Sequence, residues 1–369
     1  MKLANTLLKA LLSCTLVIFS LGTSSLATAE LSSTAVYEGG GVIWGMAWLG
    51  DQQIIATERS GTVRIIDLNN GTSQTVSGVP QVHSNGQGGL LDVAIQQPYQ
   101  KGDWLYFTYS KPVEKNAATT LARAKLQENQ LINWQDLLVT DSVSNTNRHY
   151  GSRIAFDKDY VFFTVGDRGH RPNSQDLTNH AGTVIRLHLD GSIPKDNPFV
   201  QMPDAKPEIW SYGHRNPQGI CFDKHNNLWS SEHGPRGGDE INLIRKGKNY
   251  GWPVVSHGKE YFLPKRVGEA LEKPGIESPR KVYVPSIAPG SLLCYQGDKL
   301  PSLQNRLALG ALKLQHINTV AIDQSQNLSG EKRLFNNLNE RIRALLESPA
   351  GDVYFSTDGG NIHKIVLTN

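Results

Sequence analysis

Beyond its first 29 residues the chain has no sustained helical periodicity; short apolar, β-branched runs recur instead between turns of Gly, Asp and Asn. Typical runs are IIATERSGTVRIIDL from Ile54, WLYFTYS from Trp104, YVFFTVGD from Tyr160, LWSSEHG from Leu228 and DVYFSTDGGNIHKIVL from Asp352. Together with strands opening at Ile43, Leu90, Arg153, Gln218, Ser291 and Arg341, they make six loose repeats. A chain of many short strands must hide their edges, and radial repetition of four-stranded sheets does so. The pattern therefore predicts an all-β, six-bladed β-propeller forming one domain over residues 30–369. An array of two-sheet sandwiches would instead divide this length into domains joined by linkers, and no Ser/Pro-rich or low-complexity linker is present. The stretch from Val254 to Pro289, rich in Pro and charge, reads as a long insertion over one face.

Residues 1–29 read differently. Lys2 and Lys9 precede an apolar run from Ala10 to Leu21, and small residues follow to Ala27-Thr28-Ala29. This is the order of a secretory signal peptide, and the run falls short of the roughly 20 residues that span a bilayer. The expected location is periplasmic or secreted, with no membrane insertion after cleavage. Of the 37 Lys and Arg residues, 35 remain after cleavage against 34 acids. Near neutrality argues against nucleic acid as a partner. Only Cys221 and Cys294 are left, enough for one disulfide but not for a multi-bridge framework. No C-x-x-C-H is present, which excludes a covalently attached c-type haem.

Four polar clusters set reactive side chains beside glycines at strand ends, where a propeller presents loops to its channel. The first, HSNGQGGLLDVA, holds Gln87; the second, RHYGSRIAF, holds His149 and is followed by Asp167 in VGDRG. The third, WSYGHRNPQGICF, presents Arg215 and Asn216. The fourth, from Ser230, carries Gly234-Pro235 with Glu232, Asp239 and Glu240 nearby. Oxygen ligation on such a loop suits Ca²⁺, and the same residues equally fit a Gly/Pro turn with solvated charges. His149 fits either a hydrogen-bonded structural residue or a general base, with Asp167 as the carboxylate to orient it. Near the C-terminus, Arg341 and Arg343 are two apart, and Lys313 ends another strand. Three cations aimed at one channel need an anionic partner; the competing reading pairs them with Glu340, Glu347 or Asp358 at the surface.

At these clusters the sequence strongly resembles the soluble PQQ-dependent aldose and glucose dehydrogenases, the glucose/sorbosone dehydrogenase family. The matching text is GQGGLLDVA, H-x-G-x-R-I-x-F, VGDRG, IPKDNPF, EIWSYGHRNPQG, EHGPRGGDEIN, KGKNYGWP, GALK and RIRALLESPAGDVYFSTD, in family order from Gly86 to Asp358. The resemblance implies a six-bladed propeller with pyrroloquinoline quinone (PQQ) in its channel. It implies His149 as general base on the sugar's anomeric hydroxyl, Asp167 as its orienting partner, Gln87 as a substrate contact and Arg215 as the group that stabilises charge on the reduced quinone. Asn216, Lys313, Arg341 and Arg343 are implied PQQ contacts, and Gly234 and Pro235 carbonyl ligands of Ca²⁺. The implied partners are an aldose substrate and an external electron acceptor. Arg148, His233 and Ala344 depart from the better-known glucose enzyme, so the expectation is a broad aldose class. A calcium-dependent propeller lactonase or hydrolase and a non-enzymatic ligand-binding propeller are the competing readings; neither requires the cation trio alongside a base.

Overall fold

The computed structural model describes residues 30–368; the expected signal peptide at 1–29 lies outside the described residues. Six four-stranded antiparallel sheets are arranged as the blades of a propeller. Blade 1 comprises Ile43–Gly50, Gln53–Glu58, Val63–Asp67 and Ser73–Val76, and blade 2 Leu90–Ile95, Trp104–Val113, Asn116–Gln127 and Gln130–Val139. Blade 3 comprises Ile154–Asp157, Tyr160–Val165, Thr183–His188 and Ile209–Tyr212. Blade 4 comprises Pro217–Phe222, Leu228–Glu232, Asp239–Ile244 and Lys281–Tyr283, and blade 5 Leu293–Cys294, Arg306–Gly310, Ile317–Ile322 and Leu328–Leu334. Blade 6 takes Ile342–Glu347, Val353–Thr357 and Ile362–Thr368 from the C-terminal end, and Glu30–Tyr37 completes it as the outer strand. Glu30 pairs with Thr368 and the register continues to Tyr37, so the two ends of the described chain close the ring through backbone hydrogen bonds. No helix among the described residues is long and apolar enough to cross a membrane.

Each blade packs on two neighbours, which is why middle strands such as Gln53–Glu58 and Tyr160–Val165 are buried on both faces and read as continuous apolar runs. Ile55, Leu90, Phe107 and Ala122 fill the space between blades 1 and 2; Trp229, Ile241, Leu307 and Val320 do the same between blades 4 and 5. Outer strands such as Leu328–Leu334 are mostly exposed. The innermost strands begin within two residues of the openings expected from sequence. One expectation needs correction: the Val254–Pro289 stretch is not loop throughout, since Lys281–Tyr283 within it pairs with Asp239–Ile241 as the outer strand of blade 4. Lys313 also lies beyond its strand, which ends at Gly310.

One buried side chain joins the blades at the axis. Arg153, just before the inner strand of blade 3, donates to the carbonyls of Trp44 (2.9 Å), Gln218 (3.0 Å), Gly290 (2.5 Å) and Arg343 (2.8 Å), and to Asp92 Oδ1 at 2.9 Å. These partners belong to the inner walls of the other five blades. A guanidinium with its donors in a fixed fork can serve so many acceptors at once. On the far side of this hub lies a cavity of about 330 Å³ that Asp92, Arg153 and Ser291 help to line. Cys221 and Cys294, whose pairing the sequence left open, form a disulfide between the inner strands of blades 4 and 5 with Cα atoms 5.8 Å apart.

Two hairpins at this far end, in blades 4 and 5, share one chemistry. Asp223 Oδ1 accepts the N–H groups of His225 and Asn227 at 2.9 and 3.0 Å, and Asp323 Oδ1 accepts that of Asn327 at 2.8 Å. The residue before each Asn, Asn226 or Gln326, has φ near +60°. The Asp side chain thus folds its own turn, which is a reason for Asp and Asn to recur between the apolar runs.

Candidate active site

At the opposite end of the channel the blades present loops instead of tight turns. His149 lies in the loop that enters blade 3 and has φ +55°, followed by Gly151 at +66° and Ser152 at +105°. A left-handed histidine costs free energy unless its surroundings fix it. Here the backbone N–H of His149 donates to Gln87 Oε1 at 2.7 Å. The fully buried Arg168 donates to the carbonyls of Thr146 and Arg148, and its guanidinium lies 3.5 Å from the Tyr150 ring centroid. Position 166 must be glycine, since a Cβ there would stand 2.3 Å from the His149 carbonyl oxygen.

These constraints bring His149 Nδ1 to 2.6 Å from Asp167 Oδ1. Asp167 Oδ1 also accepts the Gly169 N–H at 2.6 Å, and Oδ2 accepts the Trp252 indole N–H at 2.8 Å. Burial would raise the Asp167 carboxyl, but the hydrogen bond and charge of His149, together with Arg215 and Gly169, hold it below the ordinary carboxylate value. Burial also lowers the His149 imidazole, outweighing the Asp167 bond that raises it, and the Arg215 charge lowers it further. The resting pair is thus an ionised carboxylate and a neutral imidazole with its proton on Nδ1. That leaves Nε2 as a base.

Arg215 enters from the loop before blade 4. Its backbone N–H donates to Glu232 Oε2 at 2.7 Å, and Nη1 donates to the carbonyls of His233 and Gly234, both at 3.0 Å. The guanidinium lies 5.2 Å from the Trp252 ring centroid, and its Nε is buried without a hydrogen-bond partner. Asn216 follows, buried, with its side-chain oxygen accepting from Gly151 N–H and Gln218.

The acids around Gly234-Pro235 build the loop. Asp239 accepts Gly234 N–H (2.9 Å), Ser286 Oγ (3.0 Å) and Ala288 N–H (2.7 Å). Glu232 holds His214 Nδ1 at 3.0 Å, and His214 Nε2 lies 2.9 Å from Ser211 Oγ. Glu240 sits opposite Glu232 across the ladder; burial first, then the Glu232 charge, pushes it up to about 8, so it keeps its proton at neutral pH. His233 is pushed down to about 3 by burial, with Arg215 adding to the effect. Among the described residues no group of three or more His, Cys, Asp or Glu side chains could hold a metal. The Gly234 carbonyl accepts from Arg215, and a side chain at Gly234 would strike the Gly238 oxygen at 2.1 Å.

The C-terminal cations divide. Arg343, buried, donates through Nε and Nη2 to Asp358 at 2.8 and 2.9 Å and lies 4.4 Å from the Trp44 ring centroid. Arg341 reaches the same carboxylate at 2.7 Å. Of the two readings the sequence left open for these arginines, the ion-pair one is observed: Asp358 is shared between them, although Arg343 is buried and not at the surface. Lys313 is exposed and has no ion-pair partner among the described residues. Sequence reasoning missed Trp252, Arg168 and Arg153 as working parts of the site. All three stand inside quoted motifs, KGKNYGWP, VGDRG and H-x-G-x-R-I-x-F, and nothing local signals their partners.

Fold and site together define a propeller enzyme with an oriented base and a cationic mouth. The comparisons place it more closely: the chain belongs to the Glucose / Sorbosone dehydrogenase family, whose model matches residues 42–365. It is 36% identical over 337 residues to aldose sugar dehydrogenase YliI of Escherichia coli (strain K12), covering 88% of this chain and 90% of that protein. It is 27% identical to quinoprotein glucose dehydrogenase B of Acinetobacter calcoaceticus, covering 86% and 84%. The apo-form crystal structure of the soluble aldose sugar dehydrogenase from Escherichia coli superposes with a TM-score of 0.88 at 32% identity, covering 92% of this chain and all of that one.

Proposed function

We propose that the protein is a PQQ- and Ca²⁺-dependent aldose dehydrogenase, exported to the periplasm or beyond, that oxidises aldoses at the anomeric carbon to lactones and hands the electrons to an external acceptor. The neutral His149 held by ionised Asp167, beside Arg215, carries this reading. The quinoprotein name of the Acinetobacter relative and the disulfide, which suits an oxidising compartment, support it.

The residues fit an anionic cofactor. Arg215 has a buried, unpartnered Nε, Lys313 has no counter-ion among the described residues, and Arg341 and Arg343 share one carboxylate between two charges. With Asn216, these side chains would hold PQQ. The carbonyls of Gly234 and Pro235 would give Ca²⁺ part of the six to eight oxygens it takes, with Arg215 giving way at the Gly234 oxygen. When bound, PQQ supplies the acceptor for the hydride that leaves C1. His149 Nε2 removes the proton from the anomeric hydroxyl, so that C1 and its oxygen become the lactone carbonyl. Asp167 stabilises the imidazolium that forms. The Gln87 oxygen is engaged by His149 N–H, which leaves its amide NH₂ to bind a sugar hydroxyl.

The test is an absorbance titration of the protein with PQQ in the presence of Ca²⁺, followed by aldose and a dye acceptor. Saturable binding with sugar-dependent dye reduction is expected. Absence of turnover with every mono- and disaccharide, despite bound PQQ, overturns the proposal.

A further inference from the structure

Two guanidinium groups stand without an acid on the side of the mouth formed by blades 1 to 3. Arg148 directly precedes His149, and its carbonyl accepts from the buried Arg168. Its side chain runs along Gly169, where a Cβ would stand 2.4 Å from Arg148 Nε, so glycine at 169 leaves the guanidinium its place beside the Asp167 loop. Arg148 is exposed and has no ion-pair partner among the described residues. Arg59, in the turn after Gln53–Glu58, donates through Nη1 to the Gly86 carbonyl at 3.0 Å, and it too lacks an ion-pair partner there. Gln87 follows Gly86, and its N–H donates to the Asn147 carbonyl at 2.8 Å. The two arginines thus bracket Gln87 and His149. The neighbouring acids are already engaged: Glu58 holds Arg64 at 2.5 Å, and the Asp167 oxygens are taken by His149, Gly169 and Trp252. The cations proposed to hold PQQ stand elsewhere, in the loop before blade 4 and in blades 5 and 6.

A solvated arginine on a plain surface needs no partner. Two of them beside the groups that meet the substrate decide which substrates collect there. A guanidinium matches a carboxylate through paired hydrogen bonds, and a mouth of one sign concentrates the opposite charge. In a pyranose only the ring oxygen and C5 separate C6 from C1. An aldose with its anomeric hydroxyl at His149 Nε2 therefore keeps C6 close to the base and to the side chains around it. We infer that Arg148, assisted by Arg59, selects aldoses that carry a carboxylate at C6, the uronic acids, over neutral sugars. The chemistry at C1 is the same for both, and the inference rests on the aldose dehydrogenase reading.

The experiment compares D-glucuronate with D-glucose in the PQQ-loaded protein, at a saturating concentration of one dye acceptor. The wild-type ratio of kcat/KM for glucuronate over glucose should exceed one and fall as salt is added, because screening weakens the pairing. Since the Arg148 charge also bears on His149, both sugars are measured in each variant and only the ratio counts. Arg148→Gln should lower it about tenfold, the size of a charge-assisted hydrogen bond, and Arg148→Lys, which keeps the charge, by less. Arg59→Gln, in a different blade, should lower it about threefold. Methyl β-D-glucuronide, which has no free anomeric hydroxyl, should inhibit glucose oxidation competitively and more strongly than methyl β-D-glucoside. An Arg148→Gln protein that shifts both sugars alike, or a wild-type ratio indifferent to salt, overturns the inference. So does a wild-type protein that oxidises glucose but not glucuronate, with the dehydrogenase reading left standing. If the protein with bound PQQ oxidises neither sugar, that reading itself fails.

Discussion

The two ends of the propeller channel are made of the same residue types joined over different distances along the chain. At the far end, Asp223 and Asp323 bond to groups two to four residues away, and Asp67 and Asp190 cap their turns two residues on. At the mouth, His149 is held from 62 residues away by Gln87, Asp167 from 85 by Trp252, and Glu260 from 89 by Arg171. These aspartates at the far end finish turns of their own blades; the contacts named at the mouth join different parts of the ring. A local bond forms with its own hairpin, whereas a mouth contact needs the ring to be assembled first. Fold and chemistry are thereby assigned to opposite ends of the same strands.

This contrast can be broken by substitution. The largest effect is expected at the mouth: His149→Ala should lower kcat about 10²–10⁴-fold while PQQ titration and thermal stability stay close to wild type. The same group sets the pH dependence. Burial holds the His149 imidazole below its ordinary value, and the base works only when neutral. The acid limb of kcat/KM should therefore fall below the unperturbed histidine value of about 6.5, and a limb at or above it would refute the assignment. Next comes the hub: Arg153→Met leaves Asp92 buried without its cation and should cost about 3–5 kcal/mol in a urea melt. A loss under 1 kcal/mol would show that the blades do not depend on it. The smallest effect belongs to the far end. Asp323→Ala should lower the urea midpoint only slightly and leave kcat/KM untouched, and any change in sugar kinetics would dissolve the division between the ends.

What was legible in the sequence follows the same line. The blade count and inner strands could be read because short apolar runs recur between turns of Gly, Asp and Asn, and in blades 4 and 5 the Asp side chain builds its own turn around a left-handed residue. His149, Asp167 and Arg215 were identifiable from glycine-flanked motifs, and the structure brings them together. The pairing of Arg341 and Arg343 was undecidable from spacing, since Glu340, Glu347 and Asp358 were all in reach. Only the turn that returns Asp358 N–H to the Arg341 carbonyl selects among them. The outer strand Lys281–Tyr283 was hidden because three residues amid prolines carry no period. Trp252 and Arg153 act on partners in other blades, which no local pattern records.

Arg153 also settles how traffic must move. A guanidinium bonded to the inner walls of all the other blades makes the channel a cup with a floor, not a tunnel. In the aldose dehydrogenase proposed above, the sugar, the departing lactone and the electron acceptor would share one doorway. The two half-reactions would then take turns, the lactone clearing the entrance before the acceptor approaches. Each of the two reactants, in excess, would become an inhibitor of the other, a kinetic order set by one arginine at the axis.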